Sequence, residues 1–339
     1  MVLQILFHLK KKRLEHGKEV KKVIRYECDF HCHTTRSDGN DSPLELIENA
    51  IKLGMKVIGI TDHDIEPPTY LEIGNEKVET VAYARSRNLE VILGYEFSCD
   101  TYVDDVHILG YNLDWQNDDL KEEVRRAKKS KSEAYEELCY VLTKKGMPID
   151  YENDVLKYVD EAGNVRYRSP EEVERKHIFE AMAKKGYAPT WQQAKLIVRD
   201  DPELNIRRKK ISPFDAIELI KSCGGVAVLA HPFLIDEVVT YPNGTTLTRK
   251  EYIERLIEHG LDGIEARYIY NKTSYKGKYS NNEIENFLKE EYKEKVKFFT
   301  GGSDYHADHK KGVQNARYIG EAGLTYSEYE QIKSYFCKK

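Results

Sequence analysis

His31-Cys32-His33, followed by Asp38 in a Ser-Asp-Gly turn, is a set of side chains suited to holding a divalent metal. The pair lies at the end of a strand-like run over residues 23–30. Side chains alternate faces along a strand, so His31 and His33 point one way and Cys32 the other. Ligand-type residues then recur at further strand-like runs. His63 falls in Thr61-Asp62-His63-Asp64, Glu96 in Gly94-Tyr95-Glu96-Phe97-Ser98, and His231 in Ala230-His231-Pro232. Asp304 and His306 close Gly302-Ser303-Asp304-Tyr305-His306, and His107 opens a run of its own. Six histidines, two aspartates and one glutamate are more nitrogen and oxygen donors than one tetrahedral zinc needs, and they suit two or three divalent ions. A carboxylate such as Glu96 can bridge ions roughly 3.5–4 Å apart, which lower the pKa of bound water toward about 7 and neutralise phosphoryl charge. This is chemistry for hydrolysing a phosphate ester with a metal-activated hydroxide. A lone buried histidine is more often a hydrogen-bonded core residue. Six of the chain's 11 histidines at strand ends outweigh that reading.

The elements that must position these donors follow from hydrophobic patterning. Strand-like runs at residues 23–30, 56–61, 90–95, 107–111, 225–230, 262–266 and 296–300 alternate with helical patterns such as 43–53, where Ser42 precedes Pro43 and Glu45 follows. The alternation predicts an α/β fold with a parallel sheet closed as a barrel or wound open. Residues just past the carboxyl ends of barrel strands converge on one mouth. His107 obeys that rule if a hairpin through 97–106 reverses its strand. Cys28 and Cys32 are read as packing residues, and Glu265, at another strand end, as a supporting or solvent-facing position, with a direct role in the site as the alternative.

The expected division is a basic extension at 1–24, a first barrel part at 25–113, a mostly helical insertion at 114–212, and a second barrel part at 213–339. A net charge of −5 gives no global drive toward nucleic acid or an anionic membrane, so an anionic substrate must be captured locally. Six scattered cysteines without a CxxC pair predict a reduced, cytoplasmic protein. The first residues are apolar and then basic, the reverse of a secretory signal, and no transmembrane stretch is present.

Asp29-Phe30-His31-Cys32-His33-Thr34, Ser37-Asp38-Gly39, Ile60-Thr61-Asp62-His63-Asp64, the Glu96 and Asp304 segments and Ala230-His231-Pro232 together resemble the polymerase and histidinol phosphatase (PHP) family. Within it, the chain is similar to the small-molecule metal-dependent phosphoesterases, which carry a helical insertion before the Ala-His-Pro strand. The resemblance implies a distorted (β/α)7 barrel with three divalent ions, commonly manganese, iron or zinc. It assigns one ion to His31, His33, Glu96 and Asp304, a second to Glu96, His107 and His231, and a third to Asp38, His63 and His306. The segment Arg175-Lys176-His177-Ile178 resembles the subgroup's Gly-Arg-Pro-His loop, with Glu174 and Lys176 replacing Gly and Pro. Arg175 and His177 are thereby implied to orient the ester, and Arg207 and Arg208 match a following basic position. Guanidinium groups grip phosphate bidentately, so these arginines make physical sense as clamps. Asp64, beside His63, is the candidate proton donor to the leaving oxygen. The run 125–131 is read as a solvated basic face.

The expected activity is hydrolysis of a small phosphorylated metabolite, with a nucleotide or nucleoside 3',5'-bisphosphate leading. Alternatives are 5'-3' exoribonuclease action on short RNA and a histidinol-phosphate-type phosphatase. An amidohydrolase is disfavoured by Asp38, His63 and the lack of an obvious bridging lysine. A non-catalytic metal-binding module for nucleic acid is disfavoured by the intact ligand set. No membrane association and no obligate protein partner are expected.

Overall fold

The fold is seen in a computed structural model that describes residues 26–160 and 162–336; the basic segment 1–24 and Cys337 lie outside the described residues. Seven strands form one nearly closed sheet whose spatial order follows the chain. They are β1 (Cys28–Cys32), β2 (Val57–Ile60), β3 (Glu90–Ser98), β4 (His107–Tyr111), β5 (Val226–Leu229), β6 (Gly263–Arg267) and β7 (Phe298–Gly301). The Val57-Ile58-Gly59-Ile60 run is wholly buried, as a strand covered on both faces must be. Neighbours pair in parallel except around β4, which runs antiparallel to both β3 and β5. The expected hairpin is therefore present, with Ser98 opposite His107 and Glu96 opposite Leu109. Beyond β7 the chain turns back to β1, where the His33 N–H donates to the Tyr305 carbonyl at 2.8 Å and the Tyr305 N–H to that of His31 at 3.2 Å.

Two strands run two or more residues past the ends that the patterning gives. β1 runs through His31 and Cys32, and β3 through Ser98, because ladder hydrogen bonds continue past the last apolar residue into the polar interior of the barrel mouth. Cys32 indeed turns away from the histidines into an apolar cluster with Leu46, Ile58 and Ile60. The helix α1 (Pro43–Leu53) has the expected limits; Ser42 and Glu45 cap it reciprocally and Gly54 ends it in the left-handed region.

The helices α2 (Thr80–Ser86), α3 (Asp118–Lys144), α4 (Arg175–Lys184), α5 (Trp191–Asp200), α6 (Pro213–Ser222), α7 (Arg249–Glu258), α8 (Asn281–Tyr292) and α9 (Tyr326–Phe336) complete the frame. α3 serves two cores. Leu120 and Val124 pack in the barrel cluster with Phe97 and Ile220, while Leu138, Cys139 and Leu142 pack with Ile178, Met182 and Val198 of α4 and α5. Helical periodicity did not reveal a small antiparallel pair in this region, Lys157–Val159 with Val165–Tyr167. The Tyr-Pro-Asn-Gly loop likewise joins a short pair, Val238–Thr240 with Thr246–Thr248. No helix among the described residues is long and apolar enough to cross a membrane.

The turn after β7 approaches β1 so closely that a Cβ on Gly302 would lie 2.3 Å from the His31 Cβ and 2.6 Å from Glu265 Oε1. Gly302→Ala is therefore expected to destabilise the protein by roughly 1–3 kcal/mol through overpacking. Urea unfolding measures this, and a midpoint equal to that of the parent would contradict the packing described.

Candidate metal centre and its cleft

Glu96, buried on β3, is the hub of the mouth. Its Oε2 lies 3.0 Å from His31 Nε2, 3.0 Å from His33 Nε2 and 3.3 Å from His63 Nδ1. Its Oε1 lies 2.9 Å from His107 Nδ1 and 3.2 Å from His231 Nε2. Asp304 Oδ1 approaches His33 Nε2 at 3.1 Å and His31 Nε2 at 3.5 Å. Asp38, on the rim with its side chain 54% exposed, places Oδ1 3.1 Å from His306 Nε2. All nine expected donors thus gather at one opening. Three groups have ligand atoms within 4.8 Å of one another: His31, His33, Glu96 and Asp304; His33, Asp38, His63 and His306; and His63, Glu96 and His107.

These residues fit divalent metal. His33 Nε2 and His63 Nδ1 are buried and make no hydrogen bond, although carboxylate oxygens surround them at near-contact distance. Donor atoms that converge without pairing leave buried polar groups uncompensated, which is costly unless a cation takes their lone pairs. Imidazole with carboxylate suits manganese, iron and zinc alike.

Side chains around the cage aim the donors. Glu265 faces His31 Nδ1 at 3.1 Å and accepts the His231 N–H at 2.9 Å, so it supports two histidines from behind. The bond to Glu265 leaves His31 Nε2 for the cage, the arrangement that orients metal-ligating imidazoles. Asp29 accepts from the Ser303 N–H and hydroxyl and from the Gly320 N–H, which fastens the Asp304 turn to β1. Asp62 does the same for the Asp38 turn through Thr34 and Ser37. Tyr268 and Arg317 hold Asp304 Oδ2, leaving Oδ1 toward the histidines. Sequence reasoning passed over Asp62, Tyr268 and Arg317; Asp62 stands beside His63, but nothing in the chain's pattern singles out Arg317.

Electrostatics follow from this crowding. Burial alone would depress the histidines, yet the carboxylates win at two positions: Glu96, Glu265 and Asp304 hold His31 well above the usual range, and Asp304 with Glu96 pushes His33 up to about 10. At His107 burial prevails and the pKa falls to about 4. Burial would raise Glu96, but the neighbouring imidazoles hold its carboxyl well below the usual range.

A cleft of about 1190 Å³ opens over the cage between the barrel mouth and the helical insertion. Arg175, with its Nε buried and unbonded, and Arg208 line it as expected. Lys128 and Lys131 also line it, both half-buried, which corrects the reading of 125–131 as a solvated face; Arg125 pairs with exposed Glu122, while Arg126 binds buried Glu123 and the Lys209 carbonyl. Three other expectations change. Arg207 is engaged by both carboxylate oxygens of Asp104 and is not among the cleft-lining residues. His177 turns its Nδ1 back to accept the Glu174 N–H at the start of α4 and is likewise not among them. Asp64 binds Arg208 at 2.6 Å and accepts the Ser98 N–H at 2.9 Å. Burial would raise the Asp64 carboxyl, but Arg208 and His63 bring it below its ordinary value, and its contacts place it as a partner of Arg208.

Comparison with known proteins accords with this geometry. The model of the PHP domain matches residues 29–187, a span that includes His31, His33, Asp38, His63, Glu96 and His107. The chain carries a PHP domain. Its similarity extends to a 5'-3' exoribonuclease of Haemophilus influenzae, 27% identical over 205 residues, or 60% of this chain and 68% of that protein. A 3',5'-nucleoside bisphosphate phosphatase of Chromobacterium violaceum is 24% identical over 290 residues, covering 84% and 88% of the two chains. Among solved structures, a protein of Bifidobacterium adolescentis provisionally described as a metal-dependent phosphoesterase superposes with a TM-score of 0.62. The match covers 92% of this chain and 97% of that one at 24% identity, so the PHP fold continues beyond residue 187.

Raised His31 and His33 must lose their protons before they can ligate, so divalent metal loading of this PHP domain should release protons at neutral pH and tighten as pH rises. Titration calorimetry of metal-free protein with Mn²⁺ in buffers of different ionisation enthalpy checks this. Proton uptake, or affinity independent of pH between 6 and 8, would contradict it.

Proposed function

We propose that this chain is a metal-dependent phosphoric ester hydrolase acting on a nucleotide, with a nucleoside 3',5'-bisphosphate or a 5'-phosphorylated strand end as the leading substrates. The carrying observation is the cage of six histidines around Glu96 and Asp304 opening directly beneath the cations Arg175, Arg208 and Lys131. Divalent ions held by the three donor groups would polarise a phosphoryl oxygen and lower the pKa of a water. Arg175 and Arg208 would grip the peripheral phosphate oxygens and aim the scissile bond at the cage. Asp64 would keep Arg208 from turning to solvent. Lys131, half-buried and without an ion-pair partner among the described residues, would add positive charge where the substrate is anionic. The relatives named a bisphosphate phosphatase and an exoribonuclease support the nucleotide class.

Phosphate release from a panel of phosphomonoesters, nucleoside 3',5'-bisphosphates and 5'-phosphorylated RNA, with amides alongside, tests the class. Cleavage of amides alone, or RNA binding without hydrolysis in Mn²⁺, would overturn it. His33→Ala and Asp304→Ala should reduce turnover to background with circular dichroism unchanged; near-normal rates in either would refute the centre. Asp64→Asn should raise KM about tenfold, equivalent to roughly 1.4 kcal/mol, with a smaller effect on kcat. A collapse of kcat at unchanged KM would return Asp64 to the role of proton donor.

A further inference from the structure

The cleft extends well past the cage. Its outer wall is α5, and the residues of α5 that line it are Trp191, Lys195, Val198 and Arg199. Their spacing of four, seven and eight places them on one face of the helix. Thr190 caps that helix, which fixes where the face begins. Val198 is buried in the core of the insertion, Trp191 is half-buried, and Lys195 and Arg199 are exposed. The Lys176 ammonium lies over the Trp191 ring, 5.4 Å from its centroid, and the indole also packs against the insertion core, so a stacking base would use the part of the ring left exposed. Lys195 makes no hydrogen bond or ion pair among the described residues, whereas Arg199 holds Asp200 and Lys176 reaches Glu180. An aromatic ring held in place by its helix and bordered by cations is the means by which proteins hold single strands, with bases stacking and phosphates tracking the charge. A volume of about 1190 Å³ also exceeds the roughly 300–1,000 Å³ typical of small-molecule pockets. Glu171, Glu172 and Glu174 also line the cleft, so its charge alternates between the cations over the cage and those of this wall.

We infer that the α5 face of the insertion is a second station, in which Trp191 stacks a base and Lys195 meets the phosphate of the nucleotide next to the one at the metal cage. The station makes a short single-stranded oligonucleotide a better ligand than a mononucleotide. It rests on the nucleotide reading above but concerns residues that the cage does not use.

Two measurements test it. In kinetics, Trp191→Ala and Lys195→Ala should raise KM for a 5'-phosphorylated trinucleotide about five- to fiftyfold and leave KM for a nucleoside 3',5'-bisphosphate unchanged, with Trp191→Phe retaining most of the affinity. In binding, the chain has only two tryptophans, so Trp115→Phe leaves Trp191 as the sole indole. In a Trp115→Phe, His33→Ala protein the trinucleotide should quench that fluorescence and the bisphosphate should not. Equal losses for both ligands, no quenching by the trinucleotide, or equal quenching by a phosphorylated peptide would reduce α5 to a solvated helix face. If the parent protein hydrolyses neither ester, the hydrolase assignment fails, while quenching still decides the station.

Discussion

The structure depends on one buried carboxylate. Glu96 has no access to solvent that could screen it, and five imidazoles approach its two oxygens within 3.3 Å. Such a cluster is stable only if its charges balance, either by protons on the histidines or by cations among them. The fold makes this balance possible by rigidity. Asp29, Asp62 and Glu265 are fully buried; the first two spend their oxygens on backbone and hydroxyl groups of the turns that carry the donors, and Glu265 on the His31 imidazole and the His231 N–H. His231, Asp304 and Asp64 sit at positive φ, a conformation that persists only when surrounding contacts over-determine it. Each of the three lies in a ligand-bearing turn where the chain leaves the barrel.

The cage was legible in the sequence because its chemistry is tied to strand periodicity. An imidazole at the end of a buried strand has few reasons to be there, and six of them with three carboxylates, at six of the seven runs, leave one architecture that gathers them. Even the anomalous position of His107 carried information, since only a reversed strand reconciles it with the others. What could not be read was the layer behind. Tyr268 looks like any core tyrosine, and Arg317 lies in a loop without pattern, yet both contact Asp304. Their roles arise from where the chain returns in space, which periodicity does not encode.

The cleft was harder still. On a long amphipathic helix, charge runs look alike whether they face water or a partner. Lys131 differs from Arg125 only in angular position relative to the insertion. Arg207 and Arg208 are neighbours in sequence, but one is claimed by Asp104 and the other by Asp64. Alternation of faces decides such cases, and it is fixed by tertiary contacts that a basic cluster alone does not reveal. The short strand pairs escaped for a related reason: their residues are largely exposed, so they carry little hydrophobic signal.

Reversing β4 has a further consequence. The chain finishes that strand at Tyr111, on the side of the barrel away from the donors, and must travel back along its whole height to reach them. α3 makes that journey in a single element of 27 residues, about 40 Å at 1.5 Å per residue. Its lower half is anchored among barrel side chains and its upper half forms part of the roof. The roof is thus mounted on a continuous strut and not on a slack tether. To swing it aside along this connection would mean breaking backbone hydrogen bonds in mid-helix, so ligands are better suited to entering from the flank, along the passage that the strut holds open.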